Sequence, residues 1–118
     1  MSTRAGAWSA TFADEAALTR LDAASRARAL TGLPRWHWDE ARDGLTRTFR
    51  FPDFAAAFAF MTRVALHAER VDHHPEWRNV WSRVDMLLVT HDANGLTQKD
   101  VDFAHAIDGW GDQDVASS

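Results

Sequence analysis

The sequence predicts a single α+β domain, in which an antiparallel four-stranded sheet carries three helices packed on one face. Apolar residues recur at helical spacing in some segments and at two-residue spacing in others, in the order helix, two strands, helix, one or two strands, helix. Short turns join the strand segments, which favours antiparallel neighbours. A chain of 118 residues has room for one hydrophobic core.

The domain is expected to span residues 21–110. Residues 1–20 are rich in alanine, serine and threonine and are predicted to be a poorly specified N-terminal extension, and residues 111–118 a loose tail. The longest apolar stretch, Phe54 to Met61, is far shorter than the roughly 20 residues that a membrane helix needs. The start of the chain lacks the continuous apolar run of a secretory signal peptide. We therefore expect a cytoplasmic protein that does not enter a membrane.

Composition narrows the classes of function. Acidic residues number 17 against 13 basic ones, and the formal net charge of −4 disfavours nucleic-acid binding through phosphate neutralisation. The chain has no cysteine, which excludes disulfides, thiolate metal sites and a cysteine nucleophile, and which suits a reducing cytoplasm. It has six histidines, and histidine is the side chain whose ordinary pKa, about 6.5, lies nearest to neutral pH. A cluster of histidines is the first place to look for chemistry.

The first helix is predicted to have Asp22 as its N-cap and to stop at Gly32. Two alternating segments follow, Trp36–Trp38 and Leu45–Phe51, and the Asp43-Gly44 dipeptide between them makes this the strongest hairpin pattern in the chain. Alternation along the second strand places four side chains on one face, those of Leu45, Arg47, Phe49 and Phe51.

A second helix is predicted from Pro52-Asp53 to about Arg70. Five of its apolar residues form a continuous stripe at spacings of three and four, and we expect this stripe to face the core. Phe60 and Val64 widen the apolar arc beyond what one sheet face should cover, which favours an oligomer. The stripe consists of Phe54, Phe58, Met61, Ala65 and Ala68.

The segment from Asn79 to His91 returns to two-residue spacing. It exceeds the usual strand length, so we expect a break near Ser82-Arg83 that divides it into two strands. The pattern places one set of residues on one face of the sheet, namely Val80, Val84, Met86 and Leu88. It places a second set on the opposite face, namely Trp81, Leu87, Val89 and His91.

The last helix is predicted to follow an Asn94-Gly95 turn. Thr97 and Asp100 have the spacing of a capping box, which predicts the start of the helix. The helix is expected to run to about Asp108, with an inner side formed by Val101, Ala104 and Ile107.

The segment with the sequence ERVDHHPEW carries the chemistry. Pro75 disfavours helical backbone at His74, so His73 and His74 are predicted to lie in a short turn between a helix and a strand. Glu69 lies one helical turn before His73 and could direct its carboxylate to the same place. His91 is expected at the end of the following strand. Three histidines with acidic neighbours can donate and accept protons near pH 7.

Three interpretations of these histidines are open at this point. They could cap a helix end and lie in solvent. They could bind a metal ion together with a carboxylate, although adjacent residues of an extended turn point apart and the helical H-x-x-x-H spacing is missing. They could instead form an acid/base site that contains no metal.

The same residues resemble the pterin-4a-carbinolamine dehydratase family. The resemblance covers about Leu21 to Asp108 and is carried by the strand RTFRF and by the motifs FAFMTRVALHAE, DHHPEW, NVW, THD and GLT. It implies an α+β fold with a four-stranded antiparallel sheet and three helices, assembled as dimers or tetramers. One departure is Trp81, which stands where tyrosine is commoner in the family.

The resemblance also implies a reaction and a set of site residues. Family members dehydrate a 4a-hydroxytetrahydropterin to quinonoid dihydropterin and water, without a cofactor or a metal. Carried over by position, the catalytic residues are His73, His74 and His91. Proton transfer is expected from His73 or His91, and positioning of the pterin from His74, whose backbone Pro75 restricts most. The implied substrate-binding residues are Glu69, Asp72, Val89, Thr90 and Asp92.

The partners follow from the same resemblance. They are a small-molecule pterin, further copies of the chain in a homodimer or homotetramer, and an aromatic amino acid hydroxylase whose pterin cofactor is recycled. The acidic charge and the short apolar stretches predict no nucleic-acid partner and no membrane. The alternative is a non-enzymatic dimerisation or assembly partner, because animal members also serve as dimerisation partners of a transcription factor. The acidic charge argues against DNA contact but leaves a protein partner open. Three converging imidazoles favour the enzyme, since a scaffold has no need of them.

Overall fold

The computed structural model describes residues 19–111 and 116–117, and there it confirms the predicted order of elements. No helix among these residues has the length and apolar character needed to cross a membrane. Most of the predicted N-terminal extension lies outside the described residues, as does most of the predicted tail. The elements are α1 (Ala23–Thr31), β1 (His37–Asp39), β2 (Gly44–Arg50), α2 (Phe54–Val71), β3 (Glu76–Val80), β4 (Arg83–Leu88), a 3₁₀ helix (His91–Ala93), α3 (Gln98–Gly109) and β5 (Ala116–Ser117).

The sheet is antiparallel throughout, with the strand order β1-β2-β4-β3. The central pair runs from Leu45 opposite Leu88 to Arg50 opposite Arg83. On its other edge β2 pairs with β1 at one end and with β5 at the other. The predicted four-stranded sheet is therefore confirmed, and β5, which lies inside the segment predicted as a tail, adds a short fifth strand.

The core lies between one face of this sheet and the three described helices. Phe49 of β2 packs on Phe60 of α2, with 4.6 Å between the ring centroids. The buried Arg47, on the same face of β2, reaches α3 through an ion pair with Asp108, 2.8 Å long. The core-facing residues of the two central strands are Leu45, Arg47, Phe49, Val84, Met86 and Leu88, as predicted.

The helix starts follow the predicted capping chemistry. The carboxylate of Asp22 accepts the backbone N–H of Ser25, and Asp53 accepts that of Ala56 in the same way. At the start of α3 both hydrogen bonds of the predicted capping box are present. Each bond satisfies a backbone N–H that has no partner within its helix.

The buried face of α2 differs from the predicted one. Of the predicted stripe only Ala68 is buried, while Phe54 and Phe58 are 48% and 54% exposed. Phe60 and Val64, which were expected to need a neighbour outside the domain, lie in its core. Residues 54–61 of the helix are all apolar, so residue spacing alone did not determine which of them would meet the aromatic rings of β2. The buried face consists of Ala57, Phe60, Val64 and Ala68.

The predicted break between β3 and β4 is confirmed, and it reverses the face of Val80. Trp81 has a φ of 50°, and the turn that it begins pairs Val80 with Arg83. Val80 therefore lies on the sheet face away from the core and is 48% exposed. The prediction that it shares a face with Val84 is wrong, because a two-residue turn interrupts the alternation on which it depended.

The predicted β1–β2 hairpin is confirmed, with a loop at residues 40–43. Asp43 has a φ of 52°, and its carboxylate accepts the indole N–H of Trp38 at 2.8 Å. Gly44 then opens β2 where the strands approach closely. A Cβ at Gly44 would lie 2.8 Å from the carbonyl oxygen of Leu88 and 2.8 Å from the side chain of Leu87, so only glycine fits there.

Candidate active site

The end of α2 sets the position of the histidine pair. Asp72 adopts a left-handed conformation, with a φ of 52°, and its backbone N–H donates to the carbonyl of Ala68. The helix thus ends where the restriction of His74 by Pro75 predicted that it would. The chain turns there, and both imidazoles precede the first residue of β3.

His73 is the buried histidine, 9% exposed. Its Nε2 lies 2.6 Å from Oδ1 of Asp100, which is fully buried at the start of α3. The other oxygen of Asp100 accepts the backbone N–H of Thr97 at 3.0 Å and the hydroxyl of Thr90 at 2.8 Å. A carboxylate surrounded by donors accepts from the ring, so we assign the proton of neutral His73 to Nε2.

Sequence reasoning missed this role of Asp100. The capping box correctly placed the carboxylate at the start of α3, where it accepts the N–H of Thr97. Nothing in the local pattern shows that the same carboxylate also reaches a histidine 27 positions earlier in the chain. That contact depends on how α3 packs against the end of α2.

His74 lies on the solvent side of the turn, with 54% of its side chain exposed. Its Nε2 is hydrogen-bonded to Oε2 of Glu69. The expectation that Glu69 reaches the histidine pair is therefore confirmed for His74, whereas His73 takes its carboxylate from α3. Adjacent residues of the turn point to different sides, as the extended geometry after a helix requires.

His91 is not at a strand end. β4 stops at Leu88, and His91 begins a 3₁₀ helix. The backbone of Thr90 pairs with that of Gly95 in an isolated bridge, and this closes the chain into a tight loop where a continued strand was predicted. The imidazole nevertheless lies beside the histidine pair, because the loop stays at the same end of β4.

Glu76, which sequence reasoning also left unassigned, binds the ring of His91. Its Oε2 lies 2.7 Å from Nε2 of His91. Arg42, in the β1–β2 loop, donates to both oxygens of the carboxylate, at 2.6 and 3.2 Å. The hydrogen bonds from Arg42, and next the one from His91, lower the pKa of Glu76 from 4.5 to about 2.

The three histidines line one open pocket of about 180 Å³. Every residue predicted for the site contributes to its wall except Glu69, which is hydrogen-bonded to His74. Lys99, on α3, adds a positive charge that the sequence did not single out. A larger hollow of about 620 Å³ lies on the open sheet face but contains none of the three histidines. The pocket wall is formed by Asp72, His73, His74, Val89, Thr90, His91, Asp92 and Lys99.

The arrangement suits proton transfer. Each of the three imidazoles has its Nε2 bound to a carboxylate, which leaves Nδ1 as the ring nitrogen that can meet a substrate. Across residues 19–111 and 116–117, no group of three or more histidine, aspartate or glutamate side chains is placed to hold a metal ion. Imidazoles held in this way are groups that can donate and accept protons near pH 7.

Residues 19–110 match the model of a protein family described as pterin 4 alpha carbinolamine dehydratase. The chain belongs to the pterin-4a-carbinolamine dehydratase family. The resemblance seen in the sequence is thereby confirmed, and it covers the whole of the sheet from β1 to β4 together with the three described helices.

Relatives of known sequence and structure agree with this family. A Rhizorhabdus wittichii protein, provisionally named a pterin-4-alpha-carbinolamine dehydratase, is 65% identical over 83 residues, which are 70% of this chain and 86% of that protein. A Novosphingobium aromaticivorans protein with the same provisional name is 50% identical over 93 residues, 79% of this chain and 97% of that one. A crystal structure from Brucella melitensis, described as a transcriptional coactivator/pterin dehydratase, superposes with a TM-score of 0.74 at 43% identity. The superposition covers 77% of this chain and 97% of the Brucella chain.

Proposed function

We propose that the protein dehydrates a 4a-hydroxytetrahydropterin to the quinonoid dihydropterin and water by histidine acid/base catalysis. The observation that carries the proposal is the convergence of three carboxylate-bound imidazoles on one pocket. Family membership and the names of the relatives support a pterin as the substrate class. The reaction needs two proton transfers and no change in oxidation state, which is work that histidines perform near pH 7.

In the proposed mechanism His73 is the base. Because Asp100 holds the proton of its Nε2, the Nδ1 of neutral His73 is an acceptor and can take the proton of N5. The electron pair of that N–H bond forms the C4a–N5 double bond as the C4a–O bond breaks. The buried carboxylate then stabilises the imidazolium, as a triad aspartate does for its histidine.

His91 is the proposed acid. In its protonated form it gives a proton to the C4a hydroxyl, which leaves as water. Its side chain is 66% exposed, so it can recover the proton from solvent after each turnover. His74 is proposed to position the pterin, with its ring held by Glu69.

The proposed substrate contacts come from both sides of the pocket. Asp72 lies at the end of α2, and Val89 and Asp92 lie on the segment that leads from β4 into the 3₁₀ helix. Thr90 lines the same pocket, but its hydroxyl is bonded to Asp100 and to Thr97. We propose that Thr90 supports Asp100 while its neighbours contact the pterin.

The proposal includes the cellular setting. A pterin-dependent aromatic amino acid hydroxylase would supply the substrate, and the cytoplasm is the proposed location, which the lack of cysteine supports. We also propose a homodimer or homotetramer. In support, α2 carries an exposed apolar surface on which Phe54 and Phe58 lie side by side with 5.6 Å between ring centroids, and Leu66 on the same helix is 66% exposed.

A second candidate is a non-enzymatic assembly partner. The Brucella melitensis protein is described as a transcriptional coactivator as well as a pterin dehydratase. The exposed apolar surface of α2 would be the contact surface in that case. A dehydration assay distinguishes the two candidate functions, since a protein that acts only in assembly leaves the spontaneous dehydration rate unchanged.

The test uses 4a-hydroxytetrahydropterin generated in place by a hydroxylase, with formation of quinonoid dihydropterin followed by absorbance. We expect the purified protein to accelerate this step above the spontaneous rate. His73→Ala should lower kcat by about 10²- to 10⁴-fold, the usual effect of losing a positioned proton-transfer group. His74→Ala should mainly raise KM.

The matched control is His37→Ala, which removes an exposed histidine of β1 that lies outside the pocket. It should retain the rate of the unmodified protein. A rate of the unmodified protein equal to the spontaneous one would exclude dehydration by this protein. Rates close to that of the unmodified protein in all three of His73→Ala, His74→Ala and His91→Ala would exclude dehydration at this pocket.

A further inference from the structure

Glu76 joins three elements that are separate in the sequence. It is the first residue of β3, yet its carboxylate lies 2.7 Å from His91 on the 3₁₀ helix and 2.6 Å from Arg42 in the β1–β2 loop. Arg42 uses two nitrogens on the two oxygens, a geometry that fixes the plane of a carboxylate. The carboxylate therefore has one orientation in which it can meet His91.

His91 needs such a partner more than the buried His73 does. Its side chain is 66% exposed, and it sits on a helix of three residues. His73, by contrast, is held by burial as well as by Asp100. An exposed imidazole can rotate and exchange its proton between the two ring nitrogens unless an acceptor selects one of them.

The ion pair between Arg42 and Glu76 contributes little to the stability of the fold. Their side chains are 48% and 38% exposed, and exposed ion pairs contribute only about 0–1 kcal/mol. Partners that orient a functional imidazole, in contrast, affect the function of that imidazole strongly. A contact of this kind beside the pocket is better explained by the orientation of His91 than by stability.

We infer that Glu76, anchored by Arg42, is a positioning residue that holds the proton of neutral His91 on Nε2 and presents Nδ1 to the pocket. The inference rests on the proposed function for its effect on turnover. Its effect on the ring of His91 is independent of any reaction. Arg42 acts one step further away, by keeping the carboxylate from turning towards solvent.

Kinetics test the first part. Glu76→Gln should lower kcat by roughly ten-fold with little change in KM, as expected for the loss of an orienting partner. Arg42→Met should give a smaller loss in the same direction, and Arg42→Lys should recover part of it. In a His91→Ala background, Glu76→Gln should have no further effect, because a residue that acts through His91 has nothing left to orient.

Nitrogen NMR of the imidazole tests the second part without substrate. At a pH where His91 is neutral, the nitrogen shifts should report the Nε2–H tautomer in the unmodified protein and a mixture of tautomers in Glu76→Gln. The matched control is Arg83→Met, which removes a comparable exposed ion pair, that with Asp85 at 2.9 Å, from the other end of the β3–β4 hairpin. It should alter neither the tautomer nor kcat.

The two readouts separate the possible failures. The unmodified protein could fail to accelerate dehydration while the tautomer of His91 still changes between it and Glu76→Gln. That result would reject the proposed function and keep the positioning role. A tautomer of His91 that is unchanged in Glu76→Gln would overturn the positioning role. So would a loss of kcat on Glu76→Gln that is as large in the His91→Ala background as in the unmodified chain.

Discussion

Asp100 shows how one carboxylate can hold two parts of a small protein. It is fully buried, and its oxygens accept from the backbone of Thr97, from the hydroxyl of Thr90 and from His73. A buried charge is costly unless donors surround it, and these three donors meet that need. The same hydrogen bonds stabilise the first turn of α3 and hold the ring of His73, the proposed base, in place.

Replacing Asp100 by asparagine should therefore affect stability and activity together. In Asp100→Asn an amide nitrogen, which is a donor, replaces one of the two acceptor oxygens and must face one of the donors around it. We therefore expect the free energy of unfolding to fall by about 2 kcal/mol. Urea denaturation measures this change, and kcat should fall in the same variant. The control is Asp102→Asn on the exposed side of α3, where the carboxylate accepts from Gln98. A loss of stability as small as that of the control would show that Asp100 is not essential to the helix start.

The lowered pKa of Glu76 predicts how the stability of the fold depends on pH. Its pKa in the folded chain is about 2, below the ordinary 4.5, chiefly because Arg42 donates to it. The folded chain thus takes up this proton less readily than the unfolded chain. The contribution of the pair to stability, which is small because both side chains are exposed, is complete above about pH 4.5 and disappears as the pH falls towards 2.

In Arg42→Met we expect the pKa of Glu76 to rise towards its ordinary value. Carbon NMR of the side-chain carboxyl gives the titration directly, without reference to activity. The acid-induced loss of stability between about pH 4.5 and 2 should shrink in the same variant. A titration that stays near pH 2 would mean that Arg42 does not hold the carboxylate in solution.

At the scale of elements, features that depend on residues close in the sequence were predictable, and features that depend on packing between distant segments were not. The caps at Asp22 and Thr97 depend on residues a few positions apart, and the sequence predicted both correctly. The buried face of α2 and the side of the sheet taken by Val80 depend on which surface the rest of the chain presents. For the same reason the histidines could be found from the sequence, but their carboxylates on α3 and β3 could not be assigned to them.

The close contact between Gly44 at the start of β2 and the end of β4 predicts the effect of a substitution at Gly44. Gly44→Ala should destabilise the domain by about 1–3 kcal/mol, because the added methyl would meet the backbone oxygen of Leu88 at 2.8 Å and has no free space to enter. Urea denaturation is again the measurement.

Gly109→Ala is the matched control for this change. Nothing lies within 4 Å of a Cβ at Gly109, and alanine is the better helix former by about 1 kcal/mol or less at the end of α3. The two substitutions should thus have opposite signs. Equal effects would show that contact across the sheet does not decide the requirement for glycine at residue 44.

At the scale of the whole molecule, the exposed face of α2 bears on assembly. Light scattering at micromolar concentration should give a mass above the 13.3 kDa of one chain. Phe58→Asp should shift the mass towards that of the monomer, because it introduces a charge into the apolar surface. Val80→Asp, at another exposed apolar position, should leave the mass unchanged. A monomeric mass for the unmodified chain would remove the proposed oligomer.

The shared carboxylate of Asp100 also links motion at two places. The first turn of α3 cannot unwind without freeing the Nε2 of His73, since both depend on the same side chain. Exchange of the Thr97 amide with deuterium therefore reports the opening that would also release the ring. A bound pterin that requires His73 in place stabilises the closed form by mass action and should slow this exchange. The amide of Thr97 thus becomes a probe of ligand binding that needs no turnover.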